Sequence, residues 1–329
     1  MRPSRCSALF LLGVACGSPP RALVAQTTGT VEGGAFLLLP VGARATALGQ
    51  AASADGGTTE ALFWNPAGLA HLARTELALH HYTAFFGNGD AAVFALPLPR
   101  FGTFAVAAYL VDYGDLDVTP PGGGGTIGRV TPRNVALVAA YATDVAGGVS
   151  AGIAYKLAQF RVDCTGDCTG VPTDVGTTHA VDVGVQWSPA LGAPLVVGLS
   201  VRNAGFKLQV RNQAQADPLP TRLQIGAAYT VVTGAPDGER VRVRVLADVQ
   251  SVVGRGALEP VTLVGLETGV RELLRVRAGY AFLDSQARGP SLGLGLATGS
   301  VVFDLARTFY AEDALGEREP FHVSLRWMF

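Results

Sequence analysis

The chain is short of charge, of lysine and of long hydrophobic runs. Charged residues make up 16% of its 329 residues, and hydrophobic residues make up 49%. A typical soluble domain carries about 25% charged residues. Beyond the N-terminal region there is no run of about 18 apolar residues, so a membrane-spanning helix is not expected. The net charge of −1 gives no basic surface, and nothing points to a nucleic-acid partner.

The first residues predict an export signal. Arg2 and Arg5 precede a short apolar stretch, and an Ala-Leu-Val-Ala sequence gives a cleavage site after Ala25. Residues 1–25 are therefore predicted to be a signal peptide. Their removal takes away three arginines, which moves the net charge from −1 to −4. A lipoprotein signal ending at Cys16 is the alternative, but the leucine expected three positions earlier is missing.

Few cysteines remain after the predicted signal. Cys164 and Cys168 stand close together in the sequence Cys-Thr-Gly-Asp-Cys. An exported protein can form a disulfide here, and the bond would pin a loop. A zinc site needs about four ligands, and no histidine or second cysteine pair lies near. We therefore expect a disulfide and no metal.

What the sequence does have is a long series of segments with alternating hydrophobicity, which is typical of β-strands. In residues 181–187, for example, valines and Trp187 alternate with polar residues and glycine. Fourteen segments follow this pattern: 75–86, 89–98, 102–113, 133–143, 147–161, 178–187, 193–202, 222–231, 239–250, 260–268, 274–283, 290–298, 300–307 and 319–329. A soluble β-sandwich would also alternate.

The connections between these segments favour a membrane barrel over a sandwich. Short connections alternate with longer polar or glycine-rich ones, and only the first hairpin breaks the alternation. Barrels of the outer membrane have short turns on the periplasmic side and longer loops outside. Residues 75–329 are therefore predicted to form a transmembrane antiparallel β-barrel of about fourteen strands, an all-β fold.

The last predicted strand places Phe321, Val323, Leu325, Trp327 and Phe329 on one face. This strand resembles the closing strand of bacterial outer-membrane barrels, in which a final phenylalanine is read by the barrel-insertion machinery. The resemblance implies that Trp327 and Phe329 form an assembly signal. It also implies a location in the outer membrane of a Gram-negative type of cell, with membrane lipid and the insertion machinery as partners.

The segment before the barrel has a different character. It is rich in alanine and is interrupted by glycine and proline, which predicts short helices joined by turns. We expect residues 26–74 to fold into the lumen as a plug. Pro66 ends the helix before it, and Asn65 is expected to hold the bend through its side chain. Whether this motif only stops a helix or also contacts a substrate stays open.

Two stretches in this segment carry a family resemblance. Residues 42–49 (GARATALG) and residues 64–69 (WNPAGL) resemble the N-terminal region of the PorV/PorQ family, which is related to the FadL-type transporters of hydrophobic compounds. The resemblance implies a plug motif in the lumen. Its residues are Trp64, Asn65, Pro66, Ala67 and Gly68.

The resemblance implies two different functions. FadL-type barrels pass hydrophobic molecules across the outer membrane, whereas PorV-type barrels assist a type IX-like secretion system. The partners would be hydrophobic small molecules in the first case and secretion components in the second. A secreted soluble β-sheet protein that binds surfaces or glycans is the alternative.

Charged residues on the predicted inner faces of the strands form a further candidate set. If the valine and leucine positions face lipid, the charges face the lumen and pair with each other or with the plug. Arginines there would also suit a ligand carboxylate. This predicted lumen charge network comprises Asp182, Arg242, Arg244, Asp248, Arg275, Arg277, Asp304 and Arg326.

No motif predicts catalysis. The five histidines show no metal-ligand spacing with an acid, and no Gly-x-Ser-x-Gly elbow is present. The glycine run at 122–125 lacks the Gly-Lys-Ser/Thr of a phosphate loop. We therefore expect no enzymatic activity and no cofactor.

Overall fold

The structure is a computed structural model. It describes residues 32–84, 87–120, 122–170, 175–189, 194–208, 216–234, 240–254, 260–270, 273–283, 288–309 and 320–329. The predicted signal peptide lies outside the described residues, as do residues 26–31 of the predicted plug.

The described chain begins with four short helices. Two are 3-10 helices, at Ala35–Leu38 and Pro66–His71, and two are α-helices, α1 at Ala43–Ala47 and α2 at Ala61–Trp64. Glycines and Pro66 divide this segment, so no helix exceeds six residues. None of the described helices has the length and apolar character to cross a membrane.

Fifteen strands follow, and all neighbours pair antiparallel. They are β1 Glu76–Ala84, β2 Gly87–Leu98, β3 Gly102–Asp112, β4 Leu116–Val118, β5 Gly128–Ala146, β6 Val149–Gly166, β7 Val175–Trp187, β8 Leu195–Gly205, β9 Arg222–Gly234, β10 Arg240–Val252, β11 Val261–Val270, β12 Leu274–Ala281, β13 Gly289–Thr298, β14 Val301–Thr308 and β15 Phe321–Met328.

Fourteen of these strands form a closed barrel. The strand β15 pairs with β1, and β3 pairs directly with β5, while β4 lies outside the ring and pairs only with the end of β5. Closure leaves no unpaired sheet edge around the ring. This matters because the backbone N–H and C=O groups of an unpaired edge would find no hydrogen-bond partners in lipid. The predicted fourteen-stranded antiparallel barrel with helices before it is confirmed.

The outer surface of the barrel is apolar. In β13, Leu292, Leu294 and Leu296 are each about half exposed, at 53%, 51% and 50%, whereas Ser291 is buried inside. The same alternation runs through most of the other strands. A surface of this kind is normal for a barrel in a bilayer, where every second residue meets lipid.

The lumen is filled by the segment that precedes β1. Leu62, Trp64 and Leu69 are buried against the small inward side chains of β2, β3 and β5. On the opposite side Leu48 is buried among residues of β9 to β12. The helices therefore bury their apolar side chains against the inner wall, and the barrel has a packed core.

Two outer segments differ from the sequence prediction. The predicted loop 114–132 contains β4 and the first residues of β5. The predicted loop 162–177 contains the end of β6 and the start of β7, so β5 and β6 reach 19 and 18 residues. The sequence pattern did not predict these extensions because their residues are largely polar or glycine. A strand that lies outside the lipid zone has no need for an apolar face.

The outward surface generates a test of the membrane setting. Replacing Leu294 with Arg should destabilise the barrel in lipid vesicles by about 2–4 kcal/mol, because the charge would sit at mid-depth. The control Thr298→Arg, at the end of the same strand, should cost only about 0–1 kcal/mol. Unfolding in urea, followed by tryptophan fluorescence, measures both. Equal and negligible costs, as on a soluble surface, would contradict the membrane setting.

Candidate functional site

The predicted plug motif lies at the centre of the lumen. Asn65 is fully buried and ends α2 in an extended conformation. Its Oδ1 accepts a hydrogen bond from the Ala67 amide at 3.1 Å, and its Nδ2 donates to the Ser53 carbonyl at 2.6 Å. The same Nδ2 lies 3.2 Å from the Val185 carbonyl of the wall. Asn65 thus ties two parts of the plug to each other and to β7.

Glycines in the wall make this close approach possible. Gly152 of β6 and Gly184 of β7 are register partners. A Cβ atom on Gly184 would overlap the Asn65 side chain, and one on Gly152 would overlap the backbone of Pro66 and Ala67. The Asn-Pro-Ala motif and these two glycines therefore form one seat, in which the plug backbone lies directly against the sheet.

A chain of ion pairs ties the plug to the opposite wall. Arg44 of α1 bonds to Asp55 within the plug at 2.9 Å and to Glu267 of β11 at 3.0 Å. The chain then continues along the wall in three further links. These are Arg277 to Glu267 (2.6 Å), Arg277 to Asp304 (2.6 Å) and Arg326 to Asp304 (3.1 Å). Buried charges of this kind are stable only when they are paired.

The pKa values of two plug carboxyls, Asp55 and Glu60, are shifted in opposite directions. Burial alone would raise the pKa of Asp55, but the guanidinium groups of Arg44 and Arg244 hold it well below its usual value. Burial raises the pKa of Glu60 to about 7, although Arg326 opposes the shift. The Glu60 carboxyl accepts a hydrogen bond from the Ala45 amide at 2.9 Å. It thereby provides an acceptor for an amide in the first turn of α1, which has no acceptor within the helix.

The other predicted network residues take different places. Asp248 accepts the Ser53 amide at 2.8 Å and the Gln224 amide at 2.6 Å instead of pairing with a cation. Arg275 is half-buried, and Arg242 is exposed towards one end of β10. Neither arginine takes part in the chain of ion pairs described above. The predicted network therefore divides: Arg244 pairs with Asp55 of the plug, whereas Arg277, Asp304 and Arg326 belong to the chain that reaches the plug through Glu267 and Arg44.

Asp182 belongs to a second polar cluster, which is built on a β-bulge. Val181 pairs with Ala204 and Val183 with Val201, so β8 carries one extra residue. Two consecutive side chains of β8, Arg202 and Asn203, are therefore both buried in the lumen. Asn203 adopts a left-handed conformation, with φ of 57°. Bulges of this kind redirect side chains and are frequent beside functional sites.

Polar bonds hold this bulge in place. The Asp182 Oδ1 accepts the Asn203 amide at 2.7 Å. Its other oxygen lies 2.6 Å from the Lys156 ammonium. Lys156 also donates to the Asn203 side chain at 2.7 Å. Lys156 is thereby neutralised by Asp182.

Arg202 differs from the other buried cations in having no carboxylate in ion-pair contact among the described residues. Its terminal nitrogens donate to Gln224 (3.0 Å), to Gln250 (2.9 Å) and to the Phe63 carbonyl (3.2 Å). Its guanidinium lies 4.8 Å from the centre of the Trp64 ring, a cation–π contact. Its Nε is buried and lacks a hydrogen-bond partner. A buried donor without a partner is costly, so Arg202 is suited to receive an anion.

Arg202 lies at the edge of a cavity between the plug and the wall. The cavity measures about 20 Å³, which is room for a single water molecule. Apolar side chains from both sides form most of its lining. The lining residues are Leu37, Leu39, Val41, Phe63, Trp64, Tyr109, Ala136, Val138, Lys156 and Arg202. Its lining thus combines apolar side chains with two buried cations, Lys156 and Arg202.

Sequence reasoning missed this cavity site except for Asp182 and Trp64. Lys156 and Arg202 stand at inward positions of ordinary alternating strands, so their positions gave no separate signal. One signal was available for Lys156, because lysine is nearly absent from the chain. The bulge that turns Asn203 inward depends on three strands and cannot be read from β8 alone.

The remaining candidate residues lie away from the lumen centre. Cys164 and Cys168 are bonded to each other, with Cα atoms 6.4 Å apart, at the outer end of β6. Trp327 and Phe329 face outward and meet edge to face, with ring centres 5.5 Å apart. Their role as an assembly signal stays a prediction. No group of three or more acidic, histidine or cysteine side chains in the described ranges is arranged to hold a metal ion.

The seat of the plug predicts that ions leak through the barrel when the seat is disturbed. Gly184→Ala should push Asn65 off the wall, since the new Cβ has no room. Single-channel recordings in planar bilayers should then show more frequent or larger ion-conducting openings than the wild type. Gly269→Ala is the matched control, because its Cβ would meet only ordinary contacts at 3.6 Å. Equal conductance in both variants would contradict the seat.

Comparisons with known proteins support the architecture. The toluene transporter TodX of P. putida shares 13% identity, with a TM-score of 0.59 over 88% of this chain and 98% of that chain. The monoaromatic hydrocarbon channel CymD shares 14%, with a TM-score of 0.55 over 89% and 98%. The toluene transporter TbuX of Ralstonia pickettii shares 13%, with a TM-score of 0.53 over 88% and 98%.

No protein-family model and no curated protein matches the sequence. These three similar structures are transporters or channels of toluene or monoaromatic hydrocarbons. At this level of identity the likeness shows the fold alone, a closed antiparallel β-barrel.

Proposed function

We propose that this barrel lies in the outer membrane and passes small hydrophobic molecules, preferentially those with an acidic head group. The observation that carries the proposal is the lumen cavity. It joins an apolar body to Arg202, a buried cation with an unpartnered donor. A carboxylate would give that donor its missing acceptor through a charge-assisted bond.

The apolar part of such a molecule has matching partners. Phe63 and Tyr109 meet edge to face with ring centres 6.3 Å apart, and Phe36 stacks on Tyr109 at 6.1 Å. Aromatic faces of this kind hold rings and alkyl chains without demanding one shape. The cavity therefore selects for apolarity and for an acid, and it does not select for one compound.

The segment 32–41 separates this cavity from the end of the barrel with the long connections. Glu32 forms an ion pair with Arg222 at 2.9 Å, and the Gly33 amide donates to the Pro218 carbonyl at 2.9 Å. Leu37, Leu39 and Val41 then form one side of the cavity. Since the cavity holds about one water molecule, entry requires this segment to move outward.

Movement of that segment leaves the rest of the plug in place. Its ties to the wall include the Glu32 pair, the Gly33 backbone bond, a 3.5 Å hydrogen bond from the Asn203 side chain to the Leu37 carbonyl, and apolar contacts. The ion pairs of Arg44 lie beyond it, on α1. A molecule captured among the long connections would displace residues 32–41 and place its acid on Arg202. The ion pairs of Arg44 would stay in place, and only the pair of Glu32 with Arg222 would separate.

The accessory role in secretion, implied by the PorV/PorQ resemblance, remains a second proposal. Among the residues that carry that resemblance, Trp64 to Gly68 are buried inside the barrel, where they hold the plug. Nothing among the described contacts favours a cargo protein over a small molecule. Co-purification with secretion components from the native cell would favour the secretion role.

The proposal predicts a selective defect when Arg202 is replaced. Arg202→Gln should weaken the uptake of radiolabelled dodecanoate about tenfold, because a hydrogen bond to a charged group contributes about 1.5–3 kcal/mol. Uptake of dodecanol, which has the same chain and no charge, should change much less. Uptake is measured in cells that lack other hydrophobic-compound transporters and carry equal amounts of each variant.

The control for this experiment is Arg161→Gln, which removes an exposed arginine at the outer end of β6. It should leave both uptake rates unchanged. Equal losses of dodecanoate and dodecanol in Arg202→Gln would contradict acid recognition. Wild-type uptake no higher than in cells without the barrel would contradict passage itself.

A further inference from the structure

A second cavity lies at the other end of the lumen, among the short turns. It measures about 360 Å³ and is bordered by the last plug residues, including Leu72, and by the turn before β3. Thr103 and Asp144 complete the wall. Arg100, in the turn, is exposed with a left-handed φ of 71°. It forms no ion pair with any residue that the structure describes.

The wall between the two cavities is lined by small side chains. Ala105 and Ala107 of β3 and Ala140 and Ala142 of β5 all face inward and are buried. Above them Tyr109 and Val138 border the first cavity, and below them Thr103 borders the second. The two cavities therefore lie along the same pair of strands.

One plug element covers this alanine wall. The 3-10 helix Pro66–His71 packs mainly against β6, β5 and β7, with a smaller contact to β3, and its Leu69 is fully buried. Its side-chain hydrogen bond to the wall runs from His71 to Ser150, at 3.1 Å. The contact is otherwise apolar. By comparison, α1 is fixed by ion pairs, so a shift of the 3-10 helix beyond the seat of Pro66 and Ala67 would separate no buried ion pair.

A sideways route through the barrel wall has less support. A hollow of about 620 Å³ lies on the outer surface, near Leu79, Ala92, Ala108 and Leu325. Its floor is the sheet formed by β15, β1, β2, β3 and β5. The described residues of these strands pair in continuous register, with no bulge. The hollow is thus closed towards the lumen.

From these observations we infer that the cavity among the short turns is a release site. A hydrophobic acid would travel along the alanine wall of β3 and β5 as the end of the helix, Leu69 to His71, shifts, and leave into the periplasm past Arg100. Arg100 would bind the carboxylate as it exits, because its guanidinium has no carboxylate of the described chain to hold. The inference rests on the proposed function and adds the direction and the exit of the passage.

The test fills each candidate exit with a tryptophan. Ala73→Trp occupies the cavity among the short turns, since Ala73 borders it and is exposed. Ala92→Trp fills the outer hollow. Ala146→Trp is the matched control, at an exposed position at the end of β5 outside both cavities. Uptake of radiolabelled dodecanoate is compared at equal amounts of barrel in the outer membrane.

We expect Ala73→Trp to lower uptake several-fold, while Ala92→Trp and Ala146→Trp match the wild type. The small substitution Ala73→Ser should retain uptake, which separates blocking from loss of the native side chain. Normal uptake with Ala73→Trp, or a loss confined to Ala92→Trp, would overturn the release site. Wild-type uptake at the level of cells without the barrel would instead contradict the proposed function, so the two failures are distinguishable.

Discussion

The pairing of Arg44 with Asp55 and Glu267 inside the barrel joins the plug to the wall. A buried guanidinium is tolerated only when carboxylates surround it, and removing one partner of such a group typically costs about 3–5 kcal/mol. Asp55 belongs to the plug, whereas Glu267 belongs to β11 of the wall. The pairing therefore gives the plug one position and one orientation, and β11 to β15 carry the neutralising charges.

The opposite side of the plug is held by close packing against small wall residues. Gly152 and Gly184 let the Asn65–Ala67 backbone lie directly on the sheet, and alanines line the neighbouring strands β3 and β5. Charge thus fixes one side of the plug, while small residues and apolar contacts hold the other. Both cavities lie on the second side, where movement separates fewer buried ions.

Much of the fold follows from local patterns, whereas the cavity site does not. Alternation in segments such as 181–187 predicts strands, and the lengths of the connections predict a barrel. Asn65 and Pro66 predict a bend, because proline lacks a donor and asparagine bonds to nearby backbone. The register of β7 with β8 decides which side chains meet. Arg202 and Asn203 face the lumen together only because the bulge opposite Asp182 adds a residue.

Residues 43–47 lie inside the barrel against β13 and β14. Ala47 and Ala306 belong to one small buried cluster with Ala43, so the double variant Ala47→Cys, Ala306→Cys tests it directly. Cys164 and Cys168 are already bonded to each other and do not compete. We predict a cross-link between the new cysteines under mild oxidation in whole cells, detected by peptide mass spectrometry. The pair Ala47→Cys, Ala140→Cys, on the opposite wall, should not cross-link. Free thiols at both positions 47 and 306, open to a maleimide, would contradict the account.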